Sequence, residues 1–170
     1  METFEKFDNG RLALPERTVD FSSLKWNEHP TFEGVALKHI VTAKDSGGLF
    51  SYHLVRIAPN CKIGLHIHET QLETHEVIAG SGICLNNGKT IDYTPGTISI
   101  MPAKIEHEVT AGNEGLYLLP NSFPHSANFR KNPAPTFADG AGFFCLQISA
   151  RIPNASRRKP EETLISESRN

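Results

Sequence analysis

Three cysteines, one tryptophan, two methionines and a formal charge of −2 close off several ways in which a 170-residue chain could act. The cysteines (Cys61, Cys84 and Cys145) are odd in number and lack metal-ligand spacing. They form neither a disulfide framework nor a zinc finger, and they suit a reducing compartment. Lysine plus arginine (17) nearly balances aspartate plus glutamate (19), so no overall field draws nucleic acid or an anionic membrane. No apolar run approaches the roughly 20 residues that cross a bilayer. The segment Met1-Glu-Thr-Phe-Glu-Lys-Phe-Asp8 is acidic and has no signal-like apolar stretch. The expected location is cytoplasmic, which makes the Asn154-Ala-Ser156 glycosylation pattern a coincidence. Helical periodicity beyond a turn or two is also missing, and with it any helix-turn-helix element for direct transcriptional control.

What the chain does have is a series of short alternating segments divided by turn residues, the pattern of an all-β sandwich or barrel. Val35–Val41, Phe50–Ile57, Lys62–His68, Glu73–Ile78, Ile83–Leu85, Lys89–Tyr93, Thr97–Met101, His107–Thr110 and Leu116–Leu119 read as strands. Turns are expected at Gly80-Ser-Gly82, at Pro95-Gly96 and at Gly112-Asn-Glu-Gly115. Asn87-Gly88 favours the positive φ angles of a tight hairpin. Residues 1–31 read as a polar N-terminal arm that wraps the barrel or reaches a neighbour, and 32–120 as the barrel. Residues 121–152 read as a C-terminal extension with one further strand at Phe143–Ile152, and 153–170 as a charged, disordered tail.

His66-Ile67-His68 carries the chemistry. Two imidazoles two residues apart leave the same face of a strand. Glu73, five residues after His68, and His107, on a distant strand, can close a metal site around them. Three neutral nitrogens and one oxygen suit iron(II), manganese, nickel, zinc or copper and leave positions open for water or substrate, a catalytic arrangement rather than a structural one. Glu76 is the rival carboxylate, but it falls on the opposite face of an extended strand from Glu73.

The run from Gly64 to Gly80 contains His-x-His, four residues, Glu73, six residues and Gly80. Pro95-Gly96 and Pro102-Ala-Lys-Ile-Glu-His107 follow. Together they resemble the two motifs of the cupin superfamily over roughly residues 32–120. One departure is that the leading glycine stands two residues before His66 rather than six; Pro59-Asn60 can supply the turn instead. The resemblance implies a single-domain double-stranded β-helix, the small jelly roll, with His66, His68, Glu73 and His107 as ligands and Glu73 selected by its distance to Gly80. No second His-x-His occurs, so the chain is not an internally duplicated bicupin.

Further candidates are His75, which shares the parity of Glu73, and Tyr52 and Arg56. His75 is read as a cavity-lining proton donor or substrate contact, with a hydrogen-bonded structural histidine as the plain alternative. Tyr52 and Arg56 share one face of their strand while His53 shares the other, so both sets cannot point inward. An inward Arg56 implies a substrate carboxylate or phosphate; an outward one is a solvated charge. The leading expectation is a metal-dependent enzyme of dioxygenase or oxidoreductase type acting on a small organic molecule, using one divalent transition metal (Fe, Mn, Ni or Zn, iron first). Alternatives are a ligand-binding module without catalysis and a metal-dependent lyase or isomerase. A homodimer is expected, because small jelly rolls leave sheet edges to cover.

Overall fold

The computed structural model describes residues 1–124. The expected strand at Phe143–Ile152 and the tail 153–170 lie outside the described residues.

The chain opens with a short helix, α1 (Glu2–Asp8), a small hairpin of β1 (Arg11–Ala13) and β2 (Thr18–Asp20), and a single 3₁₀ turn at Phe21–Ser23. Nine strands then form one continuous sheet: β3 (Asn27–Glu28), β4 (Val35–Val41), β5 (Ser51–Ile57), β6 (Lys62–His66), β7 (Gln71–Asn86), β8 (Lys89–Tyr93), β9 (Ile98–Met101), β10 (His107–Leu118) and β11 (Asn121–Pro124). The pairing order is β3-β4-β5-β11-β7-β10-β6, with β8 and β9 also on β7 and a further pairing of β5 with β10. Every pairing is antiparallel. This is the expected all-β jelly roll, with the strand at 121–124 continuing the sheet past Pro120.

Two strands are longer than their sequence suggests. Gly80-Ser-Gly82 and Gly112-Asn-Glu-Gly115 are not turns: β7 and β10 run straight through them and bend together, with register shifts at Ala111/Leu116 and Tyr117/Leu118. Glycine is required there because the backbones nearly touch. Gly80 has φ +77, and a Cβ on it would lie 2.2 Å from the Gly115 carbonyl oxygen. The Asn87-Gly88 hairpin forms as expected, with Asn86 paired to Lys89 and φ of 50° and 72° across the two loop residues.

Alternation along the strands divides the apolar residues between two faces. Val35, Val55, Ile57, Val77, Cys84, Tyr93, Val109, Leu116 and Leu118 fill the barrel. On the outside of β4 and β5, Phe4, Phe21, Ile40, Leu54 and Ala79 make a second cluster beneath the N-terminal arm. The arm is anchored by Phe4 against Tyr117, centroids 4.8 Å apart, and by the buried Lys38. The Lys38 ammonium donates to the Asp8 carboxylate and to the Phe21 carbonyl (3.1 Å). Among the described residues no helix is long and apolar enough to cross a membrane.

Candidate metal centre

His66 and His107 end and begin neighbouring strands and face each other in register. Leu65 and Ile67, 55% and 42% exposed, flank His66 on the outside, so the alternation turns His66 and His68 inward as the His-x-His spacing requires. The second motif folds back on the first. Lys104, with φ 66°, donates its N–H to the His68 carbonyl (2.8 Å), and Ile105 N–H closes the turn on Pro102 (3.2 Å). Upstream, Asn60 takes φ 60° in a turn where Cys61 N–H reaches the Ala58 carbonyl (3.0 Å), which replaces the missing leading glycine.

Glu73 reaches the same spot from β7. Its Oε2 lies 2.7 Å from His68 Nε2, 3.5 Å from His107 Nε2 and 3.6 Å from His75 Nε2. Burial alone would push this carboxyl up, but the imidazoles of His107, His68 and His75 gathered around it, His68 in direct hydrogen bond, outweigh it and hold Glu73 well below the ordinary carboxylate range. The Glu73 hydrogen bond raises His68, whereas burial chiefly lowers His66. Glu76 points the other way, bonded to Thr74 Oγ1 (3.0 Å) and Asn121 Nδ2 (2.9 Å).

These residues fit a metal ion. The donor atoms of His66, His68, Glu73 and His107 all lie within 4.8 Å of one another. Donors about 2.1 Å from a shared ion stand roughly 3–4.2 Å apart, so the set needs to close only slightly. Two imidazoles are already oriented: His66 Nδ1 donates to the Gly64 carbonyl (2.8 Å) and His107 Nδ1 to the Ile105 carbonyl (3.2 Å). Each presents Nε2 to the centre. His107 is fully buried and its Nε2 has no hydrogen-bond partner. An orphaned buried nitrogen is costly without a ligand to bind, and a metal ion would supply one.

The centre lines a cavity of about 210 Å³ whose wall also includes His29, Phe32, Val35, Leu37, His53, Val55, Ile63, Leu118 and Pro120. His75 also belongs to the wall, as expected; it is buried, with Nδ1 3.0 Å from the Tyr93 hydroxyl, which in turn bonds Ser99.

Tyr52 and Arg56, the other two catalytic candidates, are not in that wall. β4 pairs Leu37 with Val55 and His39 with His53, so the odd-numbered residues of β5 face in. Arg56 stacks over Trp26 at 4.5 Å, 3.6 Å from Glu28, and Tyr52 packs on the outer cluster beside Phe50. The parity of β5 offered either choice; pairing with β4 decided it. His53 is the residue gained. Its Nδ1 is 2.8 Å from His39 Nδ1 and its Nε2 3.0 Å from Ser51 Oγ. Burial first, and the facing His39 second, lower it to about 4. His29 carried no sequence signal at all, since it lies in the arm and outside both motifs.

The sequence profile of the cupin domain matches residues 53–119. An oxalate-binding protein of Thermotoga maritima is 27% identical over 66 residues, covering 38% of this chain and 54% of that protein. The chain thus spans about half the length of that curated relative. A crystal structure of a predicted oxalate decarboxylase from Thermotoga maritima superposes with TM-score 0.57 at 20% identity, over 61% of this chain and 95% of that one. A sugar phosphate isomerase of the cupin superfamily from Silicibacter pomeroyi gives 0.53 at 18% identity, over 62% and 74%. At these identities the structural likeness speaks for the fold alone.

Proposed function

Since residues 53–119 of this chain are a cupin domain, we propose that the protein is a metal-dependent enzyme of oxidoreductase type, dioxygenase-like, acting on a small oxygen-chelating organic molecule. The observation that carries this reading is the buried, unpartnered His107 Nε2 converging with the donor atoms of His66, His68 and Glu73, the last three of which line the cavity. A divalent transition metal bound there, iron first in our reading, supplies Lewis acidity and a redox couple.

The chain's own residues do the rest. The Gly64 and Ile105 carbonyls fix the tautomers of His66 and His107. Tyr93 fixes His75, which supports Glu73 from the cavity wall and acts as a positioning residue. Val35, Leu37, Val55, Ile63 and Leu118 exclude water. A cavity of about 210 Å³ is below the usual range for drug-sized ligands, so the occupant has few heavy atoms. Among the described residues no lysine or arginine lines the wall, which argues against a phosphate-bearing substrate.

A second reading follows from the oxalate-binding relative: capture of a small dicarboxylate without turnover. Metal analysis of protein purified without an affinity tag tests the shared premise, with close to one transition metal per chain expected. Protein that stays metal-free when offered iron, manganese, nickel and zinc, yet remains folded, would remove it. Oxygen uptake with iron-loaded protein, screened over oxalate, small thiols, diketones and phenols, separates the readings. Oxygen consumption supports the oxidoreductase, tight binding without turnover the capture module, and oxygen-independent product formation a lyase or isomerase.

The outward Leu65, Ile67, Ile83, Leu85, Ile98 and Ile100 leave apolar sheet surface suited to a second copy. A homodimer by sedimentation is the expected result. Among the described residues Cys61 and Cys84 are free, which suits a reducing, cytoplasmic setting.

A further inference from the structure

Of the histidines in the cavity wall, one, His29, comes from outside the stretch that matches the cupin domain. His29 follows β3, tied to β4 by its own N–H on the Val35 carbonyl (2.7 Å). Its ring turns back on the chain, and Nδ1 accepts the N–H groups of both Thr31 and Phe32 at 3.1 Å. Pro30, between His29 and Thr31, has no N–H to compete. A nitrogen that accepts two backbone donors carries no hydrogen, so the ring's hydrogen is on Nε2. Stacking on Phe32 at 4.5 Å and 25° holds the plane, and Phe32 itself lies 6.1 Å from the His66 ring.

The other histidines of the wall are committed. His66, His68 and His75 belong to the centre and its support. His53 spends one nitrogen on His39 and the other on Ser51. Among the described residues nothing accepts from His29 Nε2, which leaves it as the cavity's available imidazole donor.

We infer that His29 is a specificity residue of this cavity: its Nε2–H donates a hydrogen bond to an acceptor oxygen, carboxylate or enolate, of the bound small molecule. This rests on the cavity being the ligand site, as proposed above. The donor is neutral and single, which suits one oxygen of a small acid and not the charge of a phosphate. The N-terminal arm thereby selects what the barrel's centre receives.

The probe is oxalate. His29→Asn keeps a side-chain oxygen to accept the Thr31 N–H as an Asx turn, but removes the donor. His29→Asp keeps the same turn and adds a negative charge. With zinc-loaded protein, calorimetry should show His29→Asn weakening oxalate binding about tenfold, as loss of one hydrogen bond to a charged acceptor implies, and His29→Asp weakening it further. Zinc stoichiometry should stay that of the parent in both.

Ring nitrogen NMR of the unsubstituted protein should show the Nε2–H form of His29 and a shift of its Nε2 on adding oxalate. That measurement stands even where a variant fails to fold. An Nδ1–H form, equal oxalate affinity across the three proteins, or an unmoved His29 signal overturns the assignment. Protein that takes up no zinc refutes the metal-centre reading separately; the His29 response to oxalate then decides the subsite by itself.

Discussion

Acid should destabilise this protein through His53, and the effect can be isolated. The ring is half-buried and held at about 4 by burial and by His39, whose Nδ1 stands 2.8 Å from its own. One hydrogen bridges two facing nitrogens; protonating both rings would set two N–H groups against each other. The unfolded chain takes up the proton near the ordinary imidazole value of 6.5. As pH falls below that value the unfolded state gains protons that the folded state refuses, so stability is complete above about 6.5 and declines down to about 4. The full window corresponds to about 3 kcal/mol, and at about pH 5 the loss is about 2 kcal/mol. The perturbation is His53→Gln, which removes the titration and keeps a polar side chain. The assay is urea unfolding of metal-free protein in steps from about pH 7.5 to 4.5. Other groups titrate in both proteins and largely cancel in the difference. On acidification the parent should lose about 1 M more of urea midpoint than the variant at about pH 5, taking a slope of about 2 kcal/mol per M. A parent–variant difference that stays constant across this range would refute the account of the histidine pair.

Three further outcomes are expected. His66→Ala should abolish metal uptake by elemental analysis while circular dichroism keeps its β signature, because His66 is half-buried and the core is built from other residues. Gly80→Ala should cost about 3 kcal/mol or more in urea unfolding, since a left-handed alanine costs about 1–2 kcal/mol before its Cβ meets the Gly115 oxygen at 2.2 Å. A loss near zero would show that β7 and β10 can separate freely. His75→Phe should weaken metal affinity by about 10–100-fold with the fold intact, and His75→Gln should restore part of it by offering Glu73 a donor again. Unchanged affinity in His75→Phe would make the residue merely a core histidine.

Much of the site was legible because it depends on periodicity. Strand alternation fixes that His66 and His68 share a face, that Glu73 and Glu76 do not, and that Asn87-Gly88 can turn a hairpin in two residues. The glycines were harder. Gly80, Gly82, Gly112 and Gly115 read as turns, because a glycine that permits a reversal looks the same in sequence as one that lets two backbones cross closely. Only the pairing of β7 with β10 shows that the second use applies.

The amino-acid sequence by itself determined the all-β class and that His66 and His68 share a face, since both rest on local spacing that any extended chain obeys, while the resemblance to the two motifs pointed to Glu73 and His107. Tertiary structure decided what surrounds them. Parity offered His53 or Arg56 to the cavity with equal right, and the register of β4 against β5 admitted His53 and stacked Arg56 on Trp26. It also folded the arm so that His29 entered the wall and Lys38 was buried against Asp8. Such contacts join residues distant along the chain, and no spacing rule within a strand can encode them.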